Sequence, residues 1–153
     1  MNISYEVMTA AHYDGVRALW DETTEVSTNS TDDSREGIEK YLLRNPATSY
    51  VALCEGRVVG AILAGHDGRR GFIQHLAVLP NFRRQGIAAM LVELSMKALD
   101  ADGIPKVALL AFTKNDKANA FWDKMGFTVR SDVYYRNKAI REIAYRENPF
   151  RHE

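Results

Sequence analysis

Apolar residues recur along the chain with two periods, and these periods predict the order of its helices and strands. Ile3 to Met8 alternates between apolar and polar residues, which predicts a first strand. Val16, Leu19 and Trp20 then share one helical face, so Ala10 to Glu22 is predicted to be an amphipathic helix.

A second helix is predicted after a polar connection. The connection, Thr23 to Ser34, is rich in Thr, Ser, Asn and Asp, a composition typical of loops. Asp33 and Glu36 have the spacing of a capping box, in which each side chain accepts a hydrogen bond from a backbone amide at the first turn of a helix. The helix is therefore expected to run from here toward Arg44 and to end before Pro46.

The middle of the chain is rich in predicted strands and contains one long helix. Three strands are expected, over Tyr50–Cys54, Val58–Ala64 and Phe72–Val78. The following apolar residues recur at helical spacing, which predicts a helix that Gly103 ends: Ile87, Leu91, Leu94 and Ala98.

The last third completes a mixed sheet. Val107 to Phe112 is a continuous apolar run, which predicts an interior strand buried on both faces. A short helix over Asp116–Met125 and two final strands, Phe127–Tyr135 and Ala139–Tyr145, follow. The fold class predicted is α/β (α+β), with a mixed central sheet of about seven strands flanked by four helices.

Composition and charge narrow the class of protein. The chain has 153 residues, which suits a single domain over 1–153, and its formal net charge is zero. No overall basic excess is present to bind nucleic acid or an anionic membrane, so neither partner is expected. Cys54 is the only cysteine, which excludes an internal disulfide. The N-terminal residues lack a signal peptide, so the expected location is cytoplasmic.

The strand-to-helix connection near the centre has the features of a phosphate site. Two arginines, Arg83 and Arg84, precede Gly86, which is followed by the first turn of the long predicted helix. Helix N-terminal amides carry partial positive charge, and a glycine lets a phosphate approach them closely. A plain turn with two solvated arginines explains the local pattern equally well. No Gly-Lys dipeptide or Gly-x-Gly-x-x-Gly run occurs, which disfavours kinase and dinucleotide-binding alternatives.

Two motifs in this order resemble the GCN5-related N-acetyltransferase superfamily. Arg83, Gly86 and Ala88 fill the fixed positions of its Gln/Arg-x-x-Gly-x-Gly/Ala motif. The segment from Asn115 to Phe127 is similar to the family's Asn-x-x-Ala-x-x-Phe-Tyr-x-x-x-Gly-Phe motif. The predicted element order also resembles the family fold over nearly the whole chain.

The resemblance implies an enzyme that moves the acetyl group of acetyl-coenzyme A to a primary amine. In the family, this co-substrate lies where two parallel strands separate, here Phe72–Val78 and Val107–Phe112. The implied cofactor-binding residues are the backbones of Leu76 and Val78, the amides of Arg84, Gln85, Gly86, Ile87, Ala88 and Ala89 with Arg83 beside them, and the side chains of Asn115 and Phe121.

Proton transfer is where the chain departs from the family pattern. Trp122 stands where the family often has a tyrosine that acts as general acid, and an indole N–H cannot take that role near neutral pH. Trp122 is therefore expected to pack in the core or in the wall of the pocket. His75, next to Leu76, is the candidate catalytic base, although a half-buried structural histidine is the alternative. Tyr134 and Tyr135 offer hydroxyl groups but no spacing argument.

For the acceptor, the resemblance indicates only which parts of the chain form its pocket. Trp20, Trp122 and Tyr134 are expected to line the substrate pocket, with acidic residues near the end of the first helix to attract a cationic amine. The acceptor is a small molecule or a protein amine, no metal is expected, and a homodimer is possible. The alternative function is a non-catalytic acyl-coenzyme A binding or sensing module.

Overall fold

The computed structural model describes residues 2–151, and within them it contains a five-stranded sheet and four α-helices. The strands are β1 (Ile3–Val7), β2 (Tyr50–Cys54), β3 (Arg57–His66), β4 (Gly71–Val78) and β5 (Val107–Leu109). The helices are α1 (Tyr13–Glu22), α2 (Arg35–Arg44), α3 (Ile87–Ala101) and α4 (Asp116–Lys124), with short 3₁₀ turns at Ala10–His12 and Pro80–Phe82. No helix of this described part is long and apolar enough to cross a membrane.

The strands follow one another in the sheet in chain order, β1-β2-β3-β4-β5. The first three pairings are antiparallel, and β4 pairs with β5 in parallel. That parallel pairing runs only from Gly71 opposite Val107 to Ile73 opposite Leu109. Because β4 continues to Val78, its second half keeps β3 as a neighbour but pairs with no strand on its other side within the described residues, and we call the space on that side the slot.

Helices cover both faces of the sheet, and two adjacent residues of β3 show the division. Gly65 faces α2, since a Cβ on it would lie 2.6 Å from the Tyr41 hydroxyl. The next residue, His66, faces the other way and contacts Asp102 at the C-terminal end of α3. Successive side chains of a strand point to opposite faces, so α2 and α3 lie on opposite sides of the sheet.

The predicted mixed α/β class and the four helices are confirmed, whereas the number of strands is not. The final strands expected over Phe127–Tyr135 and Ala139–Tyr145 are absent from the described structure, apart from one bridge between Asn29 and Tyr145. The physical reason is that residues 128–142 are exposed and contact no strand edge of their own chain with which to form a ladder.

The strand predicted over Val107–Phe112 is also shorter and less buried than expected. Only Val107–Leu109 is a strand, and Leu110 is exposed. With no strand on its far side, β5 is an edge of the sheet, so the apolar run is buried only in part.

The predicted capping box at Asp33 and Glu36 is wrong by one residue. Ser34 is the N-cap of α2, and its hydroxyl accepts a hydrogen bond of 3.0 Å from the Gly37 amide. Asp33 does not cap the helix because its carboxylate turns inward and binds buried partners.

Candidate active site

A β-bulge in β4 determines the position of His75, the candidate base. Gln74 lies opposite Leu63 and Ala77 opposite Ala61, so two residues of β4, His75 and Leu76, share one position of β3. His75 has φ +50°, a left-handed conformation that non-glycine residues adopt at a cost. Bulges of this kind change the direction of a side chain relative to the strand's alternation.

The bulge directs the His75 ring toward the α1–α2 side, where it meets a carboxylate. His75 Nε2 lies 2.8 Å from Asp33 Oδ1, and the two side chains are 14% and 3% exposed. An ionised carboxylate only accepts hydrogen bonds, so Nε2 carries the proton and Nδ1 remains the acceptor atom of the ring. The Trp20 ring packs edge-on against the imidazole, with ring centroids 5.2 Å apart. The imidazole is thereby held in one orientation.

Asp33 is itself fixed by the loop and helix around it. Its second carboxylate oxygen accepts a hydrogen bond of 2.8 Å from the Asn29 amide. The Tyr13 hydroxyl of α1 donates to the Asp33 carbonyl at 2.7 Å. The local sequence pattern predicts a helix cap at Asp33, and the 42 residues that separate it from His75 carry no signal of the pairing.

Trp20 belongs to the core rather than to an open pocket wall. It is 0% exposed, which contradicts its expected place on a pocket surface, because it forms the buried face of α1. Its indole N–H has no hydrogen-bond partner among the described residues. Trp20 thus acts on the site through its contact with His75.

Several of the acidic residues expected to attract a cationic amine already contact basic side chains of the protein itself. Asp21 contacts Arg17 at 3.4 Å and Glu22 contacts Arg57 at 3.3 Å. Asp33 is committed to the His75 ring. These carboxylates are therefore partly neutralised by neighbours.

Arg146, near the C-terminal end, clamps the connection between α1 and α2. Its guanidinium donates to the carbonyls of Trp20, at 2.8 Å, and of Thr23, at 3.2 Å, and also to the Val26 carbonyl. No local pattern in the sequence identifies this residue, since its partners lie more than 100 residues earlier in the chain. The clamp holds the loop whose far end carries Asp33.

Replacing Arg146 by Met is expected to lower the free energy of unfolding by about 1–3 kcal/mol, because carbonyl groups lose a charged donor while the apolar stem is kept. Urea denaturation measures the change. Arg57→Met is the matched control, since among the described residues the ion pair of Arg57 is an exposed one with Glu22, and its loss is expected to cost less than about 1 kcal/mol. Equal losses in the two variants would contradict the clamp.

The slot between β4 and β5 exposes polar backbone on the β4 side. The Leu79 amide donates to the Val59 carbonyl at 2.9 Å, so Leu79 faces β3. Backbone groups alternate along a strand, and those of Val78 therefore point into the slot. Arg83 closes this end of the slot, since its Nε donates to the Val78 carbonyl at 3.0 Å. A Val78 backbone that points into the slot agrees with its predicted contact with the pantetheine arm.

The connection that follows β4 forms a backbone cradle at the end of the slot. Arg84 and Gly86 both have positive φ, +62° and +79°, and Gly86 is the N-cap of α3. The first intrahelical bond runs from the Met90 amide to the Gly86 carbonyl, so the earlier amides of α3 have no partner within the helix. A Cβ on Gly86 would meet nothing within 4 Å, which leaves the approach open. This cradle fits the diphosphate of acetyl-coenzyme A.

The predicted residues of the second motif lie at the N-cap of α4 and on α4 itself, the helix that follows β5. The Asn115 carbonyl oxygen caps α4 by accepting from the Ala118 amide at 3.1 Å, so only its amide group remains to reach a ligand. Phe121 packs edge-on against Trp122, which packs edge-on against Phe127, with ring centroids 5.0 Å apart in both pairs. The arrangement agrees with the packing role expected of Trp122.

Tyr134 does not line this site in its own chain. Its side chain is 90% exposed, on the segment expected to form the penultimate strand. His66 pairs with Asp102 at 3.0 Å. Among the predicted site residues, the structure brings His75 into contact with Trp20, Arg83 into contact with Val78, and Phe121 into contact with Trp122.

Comparisons with known proteins agree with this geometry. The family model described as the acetyltransferase (GNAT) family matches residues 13–127. An acetyltransferase of Sodalis glossinidius is 34% identical over 110 residues, which are 72% of this chain and 78% of that protein.

Solved structures share the fold at low sequence identity. The PaiA N-acetyltransferase of Thermoplasma acidophilum, in complex with coenzyme A, superposes with a TM-score of 0.75 and 16% identity, over 87% of this chain and 94% of that one. The aminoglycoside acetyltransferase AAC(6')-Iy, in complex with a bisubstrate analogue, gives a TM-score of 0.70 and 20% identity, over 91% and 100% of the two chains. The chain belongs to the acetyltransferase (GNAT) family, whose acetyl donor is acetyl-coenzyme A.

Proposed function

We propose that this protein transfers acetyl from acetyl-coenzyme A to a primary amine of a small molecule or protein, with the His75–Asp33 pair as its proton acceptor. The observation that carries the proposal is the position of this pair. It lies on the bulge of β4, at the side of the slot in which the family binds the acetyl donor.

The chain's own groups divide the work between binding and proton transfer. The α3 amides and the Gly86 loop bind the diphosphate, and the Val78 backbone orients the arm in the slot. Acetyl-coenzyme A supplies the activated acetyl thioester. His75 Nδ1 accepts the proton that the attacking amine loses as its nitrogen bonds to the thioester carbonyl carbon and the carbon–sulfur bond breaks. Asp33 stabilises the imidazolium that results.

The acceptor is proposed to approach between the α1–α2 loop and β4. Asp33 ties the loop to β4, and Arg146 ties the start of the same loop to the C-terminal segment. Both ends of the loop are held, so the loop presents a preformed wall to the amine. The proposed location is the cytoplasm, where the sequence analysis also places the protein.

A panel of primary amines tests the proposal. Each of a polyamine, an amino acid, an aminoglycoside and a peptide is incubated with enzyme and acetyl-coenzyme A, and release of free thiol is followed. We expect at least one amine to raise thiol release above the rate without amine, and mass spectrometry to find that amine heavier by one acetyl group. Binding of acetyl-coenzyme A without amine-dependent release would instead support the non-catalytic sensing module.

A further inference from the structure

Buried polar side chains fall into two groups, and one of these groups ends at the candidate base. Among the described residues, eight polar or charged side chains are buried. Four lie between α2 and β2 or on α3, namely Asn45, Thr48, Ser49 and Ser95, and four lie in the α1–α2 connection, namely Thr23, Thr28, Asn29 and Asp33. Burying a polar group costs stability unless it is hydrogen-bonded, so the bonds of each group show what it holds in place.

Asn29 organises the turn that carries Asp33. Its side-chain oxygen accepts hydrogen bonds from the amides of Thr31, at 3.0 Å, and Asp32, at 2.7 Å. Its side-chain amide donates to Asp32 Oδ2 at 3.0 Å, and its backbone amide donates to Asp33 Oδ2 at 2.8 Å. A single residue, 8% exposed, therefore closes the turn and directs a donor at the Asp33 carboxylate.

The C-terminal segment fixes Asn29 from outside the turn. Asn29 pairs with Tyr145 in an antiparallel bridge. The Ser30 amide donates to the Ala144 carbonyl at 3.0 Å. The amide of the residue after Tyr145 donates to the carbonyl of the residue before Asn29, also at 3.0 Å. Because one of these bonds lies on each side of Asn29, its backbone amide cannot change direction without breaking one of them.

The two oxygens of the Asp33 carboxylate join this turn to the base. Oδ2 accepts from the Asn29 amide, and Oδ1 lies 2.8 Å from His75 Nε2. A change in the direction of the Asn29 amide therefore turns the carboxylate away from Nε2. The neutral imidazole is then free to carry its proton on Nδ1 instead, and a protonated Nδ1 cannot accept a proton from the attacking amine.

We propose that Asn29 is a positioning residue of the acetyl transfer. It holds the Asp33 carboxylate in the direction that keeps the imidazole proton of His75 on Nε2 and leaves Nδ1 as the acceptor atom. Asn29 acts through these two side chains and contacts neither of the substrates. The inference rests on the proposed role of the His75–Asp33 pair.

Steady-state kinetics with an amine that the enzyme acetylates tests this role. Asn29→Ala is expected to lower kcat by at least about tenfold, because small displacements of a catalytic group cost that much. The KM for acetyl-coenzyme A should stay unchanged, since the cradle on α3 is untouched. Asn29→Ser should retain most of the activity, because a serine hydroxyl can accept from the same turn amides.

The same substitution in a His75→Asn background separates positioning from general damage. Asn29→Ala should have no further effect on kcat there, because the group that Asn29 positions is already absent. An equal fall in kcat in both backgrounds would assign Asn29 a purely structural role and overturn the proposal.

Nitrogen-15 NMR of the histidine rings tests the proposal without an acceptor amine. The His75 signals are assigned by their loss in His75→Asn. At alkaline pH, where histidine rings are neutral, we expect His75 of the native chain to carry its proton on Nε2. In Asn29→Ala the ring is expected to populate both tautomers. Retention of the Nε2–H form alone in Asn29→Ala would overturn the proposal.

Asn45→Ala is the matched control for both measurements. Asn45 is 5% exposed and belongs to the other buried group, where its side-chain oxygen accepts from the His66 amide at 2.9 Å. Its loss should lower stability but leave kcat and the His75 tautomer unchanged. The amine panel tests the proposed function and the tautomer tests the positioning, so the failure of one is distinguished from the failure of the other.

Discussion

Gly86→Val is expected to raise the KM for acetyl-coenzyme A by at least about tenfold while leaving the fold intact. Gly86 has φ +79°, and a residue with a Cβ pays about 1–2 kcal/mol to hold that conformation. A Cβ at this position would meet no neighbour within 4 Å, so the surroundings leave room for a side chain. Relief of the strain moves the loop and the first amides of α3, and a loss of 1.4 kcal/mol in binding is a factor of ten. Steady-state kinetics with varied donor measures the change.

Gly68→Val is the matched control for this substitution. Gly68 has φ +93° and an equally open surrounding, but it lies in the β3–β4 turn, at the end of β4 opposite to the cradle. Both variants are expected to lose similar stability in thermal denaturation, and only Gly86→Val to lose affinity for the donor. Similar KM values in the two variants would show that the cradle lies elsewhere.

His75→Asn is expected to lower kcat/KM for the amine by about a hundredfold at neutral pH, the lower end for general base catalysis. Asparagine tolerates the positive φ of this position, so the bulge is retained. The loss should shrink as pH rises, because hydroxide ion then replaces the imidazole as the acceptor of the proton that the attacking amine loses. A pH–rate profile of both enzymes measures the effect.

Two further variants separate proton transfer from packing. His66→Asn removes a histidine that also pairs with an aspartate, Asp102, but away from the site, and it should leave kcat/KM unchanged. Asp33→Asn keeps the size of the side chain and removes the charge that orients the His75 ring, so its activity should fall in the same pH-dependent way. A loss in His75→Asn that is the same at every pH would assign His75 a structural role.

Local patterns predicted most elements because their signals lie within a few residues. The helical face of α1 and the four-, three- and four-residue spacing in α3 gave element types that the structure confirms. Gly86 was identified as the start of a phosphate cradle, and it is the N-cap of α3 with the left-handed conformation that glycine favours. Such features depend on backbone geometry that one short segment determines.

The C-terminal strands show where local patterns fail. Residues 128–142 have strand-forming composition, but a strand exists only when a neighbouring edge supplies hydrogen bonds, and no edge of the same chain contacts them. The same reason shortened β5, because an apolar run is buried only where other elements cover it. A strand-forming composition alone does not supply the neighbouring strand that a β-ladder requires.

The sequence by itself determined the family, and it predicted the cradle and the candidate base, since each rests on residue types at short spacing. Only the tertiary structure decided what the base contacts. The bulge in β4 turns His75 toward the α1–α2 side, and the loop before α2 brings Asp33 to 2.8 Å from its ring. Neither a one-residue change of strand register nor a contact across 42 residues leaves a local pattern, because both arise from how separate elements pack.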